Sequence, residues 1–144
     1  MAGLAKKPTP RRVQYAALPW RRINSATEVM LITSDSGRWI IPKGWPMKRT
    51  PPHFTAAREA LEEAGVLGQI GKRPIGSFSH RKVLKQGRAV VCEVEVFPLE
   101  VTSQRKTWPE KGKRKVKWFS PSAAARAVHQ PLLGAIIRGL QKRS

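Results

Sequence analysis

Two prolines and a glycine bracket the segment that most limits how this chain can fold. Residues 42–52 carry four prolines (42, 46, 51 and 52) together with Gly44, so they read as a loop. Gly65 then stands where a left-handed residue closes helices, which predicts one helix from Pro52 to Ala64. A lone helix in mid-chain must bury its apolar stripe against something. The segments on either side of it read as strands, so the partner is a sheet.

Those strands are predicted from runs and alternation. Tyr15 to Trp20 starts the first, Val29 to Thr33 is a continuous apolar run, Ser34 to Gly37 is turn chemistry, and Trp39 to Ile41 is a short strand. Val66 to Phe78 reads as irregular to extended. Lys85-Gln86-Gly87 reads as a hairpin turn before Ala89 to Phe97, where Val90, Cys92, Val94 and Val96 share one face. A basic loop over 103–114 holds Trp108-Pro109-Glu110, and Val116 to Phe119 returns as a strand. Ser120-Pro121 then caps a helix over Ser122 to Val128. Leu132, Leu133, Ile136, Ile137 and Leu140 fall on one face of a final helix, with Lys142 and Arg143 at its end. Residues 1–12 read as a mobile basic tail and 13–144 as one domain. The fold class is α+β, or a layered α/β/α arrangement.

Composition narrows the partner. The 144 residues include 28 Lys and Arg against 9 Asp and Glu, a formal charge of +19. A field of that sign concentrates polyanions, so the partner is rich in phosphate: nucleic acid, nucleotides or inositol phosphates all qualify. The single cysteine, Cys92, excludes an internal disulfide and any cysteine-cluster metal site. No apolar run is long enough to span a membrane, and the first residues lack a secretory pattern, so a soluble cytoplasmic protein with no membrane partner is expected.

The acidic residues are scarce, yet Glu59, Glu62 and Glu63 fall within five positions. On a helix, Glu62 and Glu63 flank the azimuth of Glu59 at about 60° and 40°, so the three form one anionic face. That face is either a solvated stripe or a binding site. The solvated reading is weakened because Glu62 and Glu63 occupy the last turn, where each carboxylate costs about 0.3 to 1 kcal/mol against the helix dipole. Arg58 before Glu62 is also the less favourable order for a helical ion pair. A bound cation reverses both penalties, and hard carboxylate oxygens, a carbonyl, water and substrate phosphate suit Mg2+.

Gly44 followed by Arg58-Glu59-Ala60-Leu61-Glu62-Glu63-Ala64-Gly65-Val66 resembles the signature of Nudix hydrolases, G-x5-E-x7-R-E-U-x-E-E-x-G-U with U apolar. Every position matches but the first Glu, which Thr50 replaces. The resemblance, which covers residues 44–66, implies a Nudix-type α/β/α sandwich with a mixed central sheet. It also implies cleavage of a diphosphate bond in a polyphosphorylated substrate, using Mg2+ or Mn2+. Carried over by position, Glu62, Glu63, Glu59 and the Gly44 carbonyl are metal ligands. Glu59 is alternatively a water-activating base, and Arg58 orients the carboxylates. With Thr50 in place of the first Glu, one or two ions are implied rather than three.

Outside the signature, Gly37-Arg38-Trp39-Ile40-Ile41-Pro42 and Lys113-Arg114-Lys115-Val116-Lys117-Trp118-Phe119 resemble the branch acting on diphosphoinositol polyphosphates and dinucleoside polyphosphates. Such substrates call for a site lined by cations. Arg38, Lys43, Arg81 and Arg114 are the substrate-binding candidates, with Arg21, Arg22, Lys82 and Lys117 behind them. Trp45 either stacks on a ligand or packs its loop. Glu110 is the preferred base outside the signature, over Glu93 and Glu95. His53, His80 and His129 are scattered and read as packing residues. The competing reading is a nucleic-acid-binding module on a Nudix scaffold, or an enzyme acting on RNA 5′ ends.

Overall fold

A computed structural model describes residues 11–143, with side chains through Leu140. Its elements are β1 (Arg11–Ile23), β2 (Ala26–Thr33), β3 (Trp39–Ile40), β4 (Lys43–Gly44), α1 (Pro52–Ala64), β5 (Val66–Ile70), β6 (Gly76–Val83), β7 (Ala89–Gln104), β8 (Val116–Phe119), α2 (Pro121–Ala127) and α3 (Pro131–Arg143). One mixed sheet runs β3-β2-β1-β7-β5, with β4 added on β1, β6 on β7 and β8 on β2. β1 and β7 pair in parallel at its centre, and the other pairings are antiparallel.

Period-two alternation divides the core into two layers. Ala17, Met30, Ile32, Phe97 and Leu99 face α1, while Ala16, Leu18, Val29, Leu31, Val94 and Val96 face α2 and α3. α1 meets the sheet through Ala56, Ala60 and Ala64, all fully buried and four residues apart. Three methyl-sized side chains on one stripe let the helix backbone lie close to the strands. The expected α/β/α sandwich is therefore the observed one.

The helix starting at Pro52 ends as expected, with Gly65 left-handed at φ 73° and ψ 20°. Elsewhere the boundaries move. The stretch 42–52 is not all loop: Lys43 and Gly44 pair with Ala16 and Tyr15 as β4. Pro42 lacks a donor, but its carbonyl accepts from Ala17 at 3.0 Å, so proline limits the pairing without abolishing it. β7 runs through Pro98 to Gln104, because the Pro98 carbonyl accepts from Gly71 at 2.8 Å. β1 begins at Arg11, two residues inside the segment expected as a tail, and residues 1–10 of that segment lie outside the described ones. On α3, Leu133, Ile137 and Leu140 are buried, whereas Leu132 is 60% exposed. The side chains of Lys142 and Arg143 lie outside those described. Among the described residues, no helix is long and apolar enough to cross a membrane.

Candidate active site

α1 projects Arg58, Glu59, Glu62 and Glu63 at its C-terminal end. Arg58 Nε donates to Glu62 Oε1 at 3.1 Å, so the pair forms despite its order, although Arg58 is largely exposed and such pairs contribute little. The Glu59 and Glu63 carboxyl groups lie within hydrogen-bonding reach of each other. Burial is the main cause that raises both carboxyl groups above their ordinary range, and Glu63 is pushed up to about 9. Gly44 lies against this pair. A Cβ there would stand 2.6 Å from Glu59 Oε2, so only glycine lets the β4 backbone come so near.

The basic loop between β7 and β8 delivers a fourth carboxylate. Trp108 lies over Gly65, and the Glu110 backbone N–H donates to the Glu62 carbonyl at 3.0 Å. Glu110 is close enough to raise both Glu59 and Glu63 by its charge. Glu93, the weaker sequence candidate, is instead engaged by the hydroxyls of Ser77 and Ser79 at 3.1 and 3.0 Å.

β4 also joins this cluster to a cavity of about 140 Å³ on the α2 and α3 face, lined by Arg38, Lys43, His80 and His129 with Trp39 and Phe78 among its apolar walls. Burial pulls the Lys43 ammonium below its ordinary value, and Glu63 opposes that shift by its negative charge. His80 donates from Nε2 to the buried Gln14 amide oxygen at 3.1 Å. Burial, followed by the charges of Lys43 and Lys82, holds its pKa below the usual value. Trp45 is 37% exposed with Arg12 at 5.9 Å and Lys82 at 5.0 Å from its ring centroid, so its faces already carry cations. Arg81 sits on the other face of β6 from His80 and does not line this cavity.

No family model matches the chain. It is 32% identical over 126 residues to Nudix hydrolase 17, mitochondrial, of Arabidopsis thaliana, covering 81% of this chain and 66% of that protein. It is 31% identical over 120 residues to a bovine (Bos taurus) diphosphoinositol polyphosphate phosphohydrolase 3-beta, covering 79% of this chain and 69% of the relative. The chain belongs to the Nudix hydrolase family. The C. elegans Ap4A hydrolase in its binary complex shares the fold, with a TM-score of 0.66 and 16% identity over 91% of this chain and 96% of that one.

In this Nudix hydrolase the four carboxylates Glu59, Glu62, Glu63 and Glu110 gather at the end of α1. Among the described residues, no three acid, histidine or cysteine side chains converge closely enough to hold a metal ion as they stand. Arg58 draws Glu62 aside and Arg114 engages Glu110. The donor chemistry nevertheless fits a divalent cation. Hard carboxylate oxygens crowd a helix terminus that is already negative, burial and their mutual repulsion raise Glu59 and Glu63 above the ordinary carboxylate range, and Gly44 offers bare backbone beside Glu59.

Sequence reading missed two features. His80 and His129, far apart in the chain, line one cavity. Arg114, a substrate-binding candidate, sits among the carboxylates, 3.0 Å from Glu110 and 3.8 Å from Glu63. The four-residue spacing of Glu110 and Arg114 across Gly112 was the available signal.

Proposed function

We propose that this Nudix hydrolase cleaves a diphosphate bond in a polyphosphorylated small molecule, such as a dinucleoside polyphosphate or a diphosphoinositol polyphosphate, with Mg2+ or Mn2+. The observation that carries this reading is β4: Gly44 touches Glu59 of the carboxylate cluster, while Lys43 lines the adjoining cationic cavity. A ligand spanning the two places its phosphates beside the acids and its remaining anionic groups among Arg38, Lys43 and the histidines. The named activities of the bovine relative and the C. elegans neighbour support that substrate class.

Glu62, Glu63, Glu59 and the Gly44 carbonyl would hold the ion, which supplies charge neutralisation on phosphate oxygens. Arg58 is a positioning residue acting on Glu62. Glu110 would accept a proton from attacking water, with Glu59 the alternative where it does not hold the ion; both are partly shielded from solvent. The +19 charge also favours a longer partner, an RNA 5′ end, whose strand the basic surface would retain.

The test is a screen with Mg2+ across dinucleoside polyphosphates, inositol pyrophosphates, sugar nucleotides and capped RNA, scored by released phosphate. Wild-type protein should turn over at least one, and Glu62→Gln should lose about a hundredfold or more. Equal activity of the variant, or no turnover of any diphosphate by the wild type, contradicts the assignment. Tight RNA binding with a steep salt slope and no hydrolysis favours a binding module instead.

A further inference from the structure

Every guanidinium nitrogen of Arg114 is already engaged within the protein. Nε donates to Glu110 Oε1 at 3.0 Å, Nη1 donates to the Thr33 carbonyl at 3.2 Å, and Nη2 lies 3.0 Å from the same Glu110 oxygen and 3.8 Å from Glu63 Oε1. Its side chain is only 20% exposed. The chain path explains the placement: Lys113 N–H donates to the Glu110 carbonyl at 3.0 Å, and Gly112 takes φ 88°, so the loop doubles back and sets Arg114 beside Glu110. The anchor is firm as well. Thr33 donates its N–H to the Lys115 carbonyl at 3.1 Å, and its hydroxyl accepts from Lys115 N–H at 2.9 Å.

We propose that Arg114 is a positioning residue, which fixes the Glu110 carboxylate against the Glu59 and Glu63 pair instead of gripping substrate. The inference rests on the hydrolase reading, with Glu110 as the group through which Arg114 acts. A carboxylate on a loop held only by its backbone would sample many rotamers. A planar cation hydrogen-bonded to Glu110 through Nε, ion-paired with the same oxygen through Nη2 and hydrogen-bonded to a strand carbonyl through Nη1 removes that freedom, and an ammonium cannot reach Glu110, Thr33 and Glu63 at once. Three of its five N–H groups face partners within the protein, so the guanidinium is oriented by Glu110 and Thr33 and offers a substrate phosphate only what remains.

The experiment compares wild type, Arg114→Met, Arg114→Lys, Glu110→Gln and the Arg114→Met/Glu110→Gln double variant. Each is assayed on the diphosphate that the wild type turns over fastest in the screen above, after circular dichroism confirms folding. Arg114→Met should lower kcat about tenfold or more with KM within about threefold, and Arg114→Lys should recover only part of kcat. In the Glu110→Gln background, removing Arg114 should cost less than about twofold further, because the group it positions is already gone. A KM raised about tenfold with kcat intact, or losses that multiply in the double variant, overturns the proposal while leaving the hydrolase reading standing. If Arg114→Met does not fold, Arg114→Lys carries the same split between kcat and KM. A wild type that turns over no diphosphate removes the hydrolase reading and this proposal together.

Discussion

The backbone N–H of Glu110 donates to the carbonyl of Glu62 at 3.0 Å, so the last turn of α1 is completed by the loop between β7 and β8. Carbonyls at a helix end have no partner within the helix. One of them is here used to bring a fourth carboxylate to three that were already adjacent in sequence. Arg105 N–H donates to the Gly65 carbonyl at 2.8 Å and reinforces the same junction.

Trp108 seats that loop by lying over Gly65. Trp108→Ala should cost about 2 to 3 kcal/mol in urea denaturation, at or below the range for truncating a buried aromatic, since the ring is only partly covered. It should also lower kcat, because Glu110 loses its seat. Unchanged stability and kcat would show that the loop is held elsewhere.

Two glycines separate the cost of conformation from that of contact. Gly37 has φ 83° with nothing within 4 Å of an added Cβ, whereas Gly65 has φ 73° and the Trp108 ring directly above. Gly37→Ala should destabilise by about 1 kcal/mol through its backbone alone. Gly65→Ala should cost measurably more in a paired thermal denaturation. Equal losses would mean that the ring yields freely.

The helix bounded by Pro52 and Gly65 was legible because each end has a local physical cause, the fixed φ of proline and the left-handed glycine. Glu59, Glu62 and Glu63 were legible because helical spacing alone places them on one face. Glu110 could be named but not placed, since contacts distant in sequence bring it to α1: Trp108 over Gly65 and the backbone hydrogen bonds to the Glu62 and Gly65 carbonyls. Arg114 was read as a substrate-binding candidate because two of its partners, Thr33 and Glu63, lie far away in the chain, and its spacing to Glu110 was not used. β4 was hidden for a different reason: two residues after a proline carry no alternation to detect, and their pairing is set by β1.

Burial, reinforced by the hydrogen bond with Glu59, pushes Glu63 from 4.5 up to about 9. The folded protein therefore keeps a proton that the unfolded chain gives up near 4.5. The stabilisation is complete below that pH and is lost as pH rises through about 9. In chelator, Tm should fall across this window for wild type and fall less for Glu63→Gln. A parallel decline in the two proteins would place the proton elsewhere.

Gly44→Ala places a methyl 2.6 Å from Glu59 Oε2. Because β4 lies at the sheet edge, the fold should survive with a small loss of Tm. Turnover should drop about tenfold or more as Glu59 is displaced. Wild-type turnover would mean that Glu59 has no fixed place in the reaction.

If the carboxylates at the end of α1 bind a divalent cation, calorimetric titration of the metal-free protein with Mn2+ must reveal it. The wild type should bind saturably, and binding should weaken at least about tenfold in Glu62→Gln and Glu63→Gln, with both variants folded. Binding of equal strength in all three proteins, or none in the wild type, would contradict cation binding at these carboxylates.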